Sequence, residues 1–83
     1  MGKVAVEMKI LPENMDNFEA LKKKIFDTLA PSKISEEPIA FGLKAITLLI
    51  IIDDAPGGSD SLEEKASKIQ GVSQVEITSV DRL

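Results

Sequence analysis

The chain has no cysteine and no histidine. That excludes thiol and imidazole chemistry, the usual zinc ligands and the one side chain that titrates near neutrality. Without disulfides, nothing covalent ties the fold to an oxidising compartment. Tryptophan and tyrosine are missing too, so three phenylalanines supply all the aromatic surface. Positive charge is also scarce: 10 Lys and Arg face 14 Asp and Glu, for a net charge of −4 and a pI near 4.7. Duplex nucleic acid and anionic membrane both demand dense positive charge, so neither is an expected partner. The one basic run, Lys22 to Lys24, reads as a solvated helix face. No nucleophile-base pair can be assembled from these residue types, so no enzymatic activity, cofactor, metal or small-molecule substrate is expected.

Long apolar segments are limited to one. From Leu43 to Ile52 only Lys44 interrupts a run of apolar residues and threonine. This is far short of the roughly 20 residues a membrane helix needs. The N-terminus carries no signal-peptide pattern, and a cytoplasmic protein is the simplest expectation.

The 83 residues suffice for one modest core, so residues 1–83 are read as a single domain. At 43% hydrophobic and 29% charged, the composition is that of a globular protein. "KVAVEMKIL" alternates, with Val4, Val6, Met8 and Ile10 on one side, and Pro12 ends the strand. "DNFEALKKKIFDTL" places Phe18, Leu21, Ile25 and Leu29 on one helical face. Asp16 and Glu19 have capping-box spacing, and Pro31 stops the helix.

A weak strand spans Ser32 to Ala40, and its Pro38 assigns it to a sheet edge. Phe41-Gly42 is the turn into the apolar strand, which runs to Asp53. Ile46, Leu48, Ile50 and Ile52 form one register of that strand; the other, with Leu43, Ala45, Thr47, Leu49 and Ile51, faces away from the helices. "DDAPGGSD" gathers Asp53, Asp54 and Asp60 but lacks both phosphate-loop and calcium-loop patterns, so it reads as a loop into a helix. Ser61 and Glu64 are spaced to cap that helix, Leu62, Ala66 and Ile69 give its stripe, and Gly71 suits its C′ position. A last strand from Val72 to about Val80 buries Val75 and Ile77, leaving the final three residues free to reach a partner.

The order β-α-β-β-α-β predicts an α+β, ferredoxin-like two-layer sandwich. Right-handed crossovers give an antiparallel sheet of order 4-1-3-2. Such sheets often bind RNA through aromatics on the central strands, and none stands there. Phe41 has two readings: cover for the hairpin end of the core, which composition alone favours, or a wedge for a partner. Arg82 likewise reads first as a solubilising charge near the C-terminus. The residues alone leave open a small-molecule-sensing or oligomerising regulatory module, with Phe41 in the core and the tail inert.

"EEPIAFGLKAITLLIIIDD", the acidic second helix, "GVSQVEITSVDRL" and the opening "VAVEMKILPE" together resemble the family of archaeal-type elongation factor 1-beta. The "PIAFGLKA" segment and the basic-plus-Leu ending are its most specific elements. The resemblance implies a ferredoxin-like exchange factor that replaces GDP by GTP on elongation factor 1-alpha. It implies that Phe41, before Gly42, contacts that GTPase, and that Arg82, followed by Leu83, reaches its magnesium site. Eukaryotic members usually carry lysine where this chain has Arg82, so a planar guanidinium replaces a compact ammonium. Leu49 and Ile51, on the outer face of the third strand, are expected to add docking surface.

Overall fold

The computed structural model describes residues 2–54 and 57–83 and, of Phe41, the backbone alone. Strand β1 (Lys3–Pro12) alternates buried and exposed positions along its length, as a sheet with one covered face requires. Helix α1 (Phe18–Leu29) turns its buried stripe of Phe18, Leu21, Ile25 and Leu29 onto the sheet. Then follow β2 (Lys33–Pro38), a single 3-10 turn (Ala40–Gly42), β3 (Lys44–Asp53), α2 (Gly58–Ser67) and β4 (Val72–Arg82). The four strands form one antiparallel sheet in the order β2-β3-β1-β4. This is the expected ferredoxin-like sandwich, with both helices on one face. Pro38, lacking an amide hydrogen, lies on the edge strand β2.

The apolar run is explained by its place. β3 has neighbours on both sides, pairing Ile46 with Ile10 of β1 and with Glu36 of β2. Ile46, Leu48 and Ile50 are buried beneath the helices with Val6, Met8 and Ile25. No polar or charged residue is buried among the described residues. Ala45 is fully buried although it belongs to the opposite register.

Both helix starts differ from expectation. The Asp16–Glu19 capping box is not formed: Asn17 holds the N-cap in the left-handed region at φ 58°, without a side-chain bond. The Asp16 amide instead donates to the Asn14 Oδ1 at 3.0 Å. α2 begins three residues before Ser61, behind a left-handed Gly57, so the Ser61 amide already bonds the Gly57 carbonyl at 3.0 Å. A capping box needs an extended residue at the N-cap, and neither helix has one. α2 also stops at Ser67; Gly71, at φ +98°, serves the turn into β4 and is no C′ residue.

Glu36 ties layers together. Its carboxylate accepts from Lys22 of α1 at 2.8 Å and from Lys44 of β3 at 3.4 Å. The Lys22 hydrogen bond holds the Glu36 carboxyl below its ordinary 4.5. The same bond raises Lys22 above 10.5. The depressed carboxyl contributes stability above pH 4.5 that is lost as pH falls through its folded value. The raised ammonium contributes below pH 10.5 and loses its share as pH climbs past that. Glu36→Gln is therefore expected to lower the urea midpoint at pH 7, by a gap that narrows as pH falls below 4.5. A gap that does not narrow in acid would assign the loss to packing.

Candidate functional site: the Arg82 end of the sheet

A β-bulge decides how the chain ends. Ile77 pairs with Met8 and Ser79 with Glu7, leaving Thr78 as an extra residue in β4. The Thr78 hydroxyl donates to the Glu7 carbonyl at 3.2 Å. Beyond it, Val80 pairs with Val6 and Arg82 with Val4. Val4 and Val6 are buried under the helices, so Val80 and Arg82 point to the helix side. A pocket of about 240 Å³ lies there, lined by Val80, Arg82, Ile52, Asp54 and the start of α2.

The tail is not free, contrary to the expectation from sequence. Arg82 is the last residue of β4, and the Leu83 amide donates to the Lys3 carbonyl at 2.9 Å. β1 has amide and carbonyl groups to offer up to Lys3, and satisfying them draws the chain end into the ladder. Only the side chains are presented. The Arg82 side chain is 82% exposed, and its Nε lies 3.4 Å from Asp54 Oδ2. A contact so solvated holds the guanidinium weakly. Nearby, Lys3 and Asp53 pair at 2.6 Å, and the Lys3 hydrogen bond lowers the Asp53 carboxyl.

Exposed apolar side chains lie on both faces of the sheet near the cation. Ile51, Val80 and Leu83 are exposed large apolar side chains at this end of the sheet. Val80 shares the helix side with Arg82, whereas Ile51 and Leu83 fall on the outer face by alternation. Leu49 is half-buried and floors a shallow groove of about 510 Å³ flanked by Glu7, Lys9, Lys33 and Glu37. Sequence reading missed Val80 and Asp54. The spacing of Val75, Ile77 and Val80 did carry the bulge, because it breaks the alternation by one residue. Asp54 gave no comparable signal.

Gly42 lies elsewhere. It takes φ +74° in the turn between β2 and β3, where the Ile39 amide bonds the Leu43 carbonyl at 2.9 Å. The turn precedes Lys44, whereas Arg82 sits near Asp53, the other end of β3. Ten strand residues separate the ends by about 30 Å. The two expected contacts therefore cannot enter one pocket. The readings of the Phe41 ring as core or wedge lie outside the described residues.

The model of the EF-1 guanine nucleotide exchange domain matches residues 5–83. The chain belongs to that family. It is 46% identical to elongation factor 1-beta of Methanothermobacter thermautotrophicus, over all of this chain and 99% of the relative. With the protein of the same name from Methanobrevibacter smithii it is 47% identical, over 100% and 99% of the two chains. The Desulfurococcus amylolyticus relative, elongation factor 1-beta again, is 43% identical with the same coverage. The function of the domain is guanine nucleotide exchange in translation elongation. Among solved structures, the fold is similar to the ACT domain from GTP pyrophosphokinase of Chlorobium tepidum. Its solution structure gives a TM-score of 0.72 at 20% identity, covering 95% of this chain and 90% of that one. The crystal structure of that ACT domain gives 0.61 at 19%, covering 98% and 99%. That likeness is one of fold.

Proposed function

We propose that the domain drives GDP-for-GTP exchange on elongation factor 1-alpha by pressing Arg82 toward that GTPase's magnesium site, with no bond chemistry of its own. The observation that carries this reading is an exposed guanidinium on a hydrogen-bonded strand end, with exposed Val80 beside it on the same face. A GTPase holds its nucleotide largely through its phosphate loop and a magnesium ion bridging the phosphates. A second cation brought close opposes the metal, and the opposition grows as water is excluded. Exposed Val80, on the same face, supplies part of that exclusion on docking. Asp54 parks the side chain in the free domain and yields it cheaply.

Exchange then follows from coupling. A domain that binds the nucleotide-free GTPase better by ~4 kcal/mol weakens nucleotide binding about a thousandfold. Phe41 and Gly42 touch the GTPase at a second place, about 30 Å from Arg82. Their role is grip, separate from the metal. The expected place of this activity is the cytoplasm.

The test is release of a fluorescent guanine nucleotide from loaded elongation factor 1-alpha in a stopped-flow instrument. Release should accelerate with domain concentration and saturate. Unaltered release across the series, from a domain that instead forms a stable homodimer, would overturn the reading.

A further inference from the structure

We propose that exchange requires Arg82 on the helix side of the sheet, and that the bulge at Thr78 is the positioning device that keeps it there by absorbing one residue of β4. The inference rests on the role given to Arg82 above. Side chains alternate along a strand with a period of two, so a one-residue slip moves every later side chain to the opposite face. With Ile77 opposite Met8 and perfect alternation beyond it, Thr78 would meet Glu7, Ser79 would meet Val6 and Asp81 would meet Val4. Arg82 would then stand opposite Lys3, on the outer face. In the structure Ser79 meets Glu7 and Arg82 meets Val4. Thr78 and Ser79 share the single position opposite Glu7, and the Thr78 hydroxyl bonds the Glu7 carbonyl at 3.2 Å.

The slip sorts the last residues by chemistry. It sends Arg82 and Val80 to the side of α2, beside Asp54 and the 240 Å³ pocket. It sends Ser79 and Asp81 to the outer face, where the Ser79 hydroxyl donates to Asp81 Oδ2 at 2.9 Å. Without it the acid would hang over the pocket and the cation would join Lys3 on the open sheet. A bulge is thus the means by which this strand delivers a positive charge to one side.

Two changes of one residue in β4 separate phase from length. Deleting Thr78 leaves Ser79 opposite Glu7 and Arg82 opposite Val4; inserting a serine between Val80 and Asp81 moves Arg82 opposite Lys3. The deletion is expected to keep the saturating rate of stimulated nucleotide release within about threefold of wild type. The insertion should lower it more than about tenfold. Exchanging the last two residues, Arg82→Leu with Leu83→Arg, alters only exposed side chains and should match the insertion in saturating rate, with an unchanged melting temperature. Full stimulation by the exchanged variant, or a folded deletion variant as poor as the insertion, would overturn the proposal while Arg82→Ala remains inactive. An active Arg82→Ala would instead remove the reading on which the proposal stands.

Discussion

Arg82→Ala is expected to slow stimulated nucleotide release more than about tenfold, some 1.4 kcal/mol of lost transition-state stabilisation. Stability should hardly change, by less than about 0.5 kcal/mol, because the side chain is 82% exposed and its ion pair with Asp54 is solvated. The two halves must be measured together, by nucleotide release and by thermal melting. Two unit charges 4 Å apart interact by about 4 kcal/mol at the effective dielectric near a protein surface, so a tenfold loss asks for a modest part of what the cation can supply. Arg82→Lys should keep most of the stimulation if charge opposes the metal. Were lysine as poor as alanine, the flat, forked guanidinium would be the working feature. Normal release by a folded alanine variant would remove Arg82 from the mechanism.

Ile46→Ala should have the largest effect on stability. Ile46 is fully buried in the central strand, with Ile10 on one side and Glu36 on the other. Truncating such a side chain loses transfer energy and leaves a cavity, costing about 2–5 kcal/mol. A domain of this size has only about 4–12 kcal/mol in total. The melting temperature should fall by at least about 10 °C. Ile51→Ala, in the same strand but 38% exposed on the outer face, is the control and should cost less than about 1 kcal/mol. Similar melting temperatures for the two variants would contradict the assignment of faces in β3.

Both faces of β3 were readable beforehand, since a strand of alternating large apolar residues has one arrangement that buries the bulkier set. The same holds for α1, whose four buried residues fall at helical spacing, and for Pro38, which only an edge tolerates. Helix starts were not readable. Asp16 and Ser61 stand at capping-box spacing from a glutamate, yet left-handed Asn17 and Gly57 make the turns. Residue spacing shows a cap that could form, and backbone conformation chooses among rivals. The chain end was misjudged for a related reason. Three residues after Val80 looked like a loose tail, but the start of β1 offers them partners up to Lys3. Arg82 itself could be singled out only through resemblance, because an isolated basic residue near a terminus has no physical signature. Its neighbours Val80 and Asp54 come from folding alone.

The separation between Gly42 and Arg82 has a mechanical meaning. Between them run β1 and β3, paired residue for residue from Lys3 with Asp53 to Ile10 with Ile46. A pleated ribbon bonded along its whole length scarcely stretches. Any larger molecule touching both tips at once must hold those two patches at one spacing, as calipers would, and motion that alters the spacing has to break a grip first.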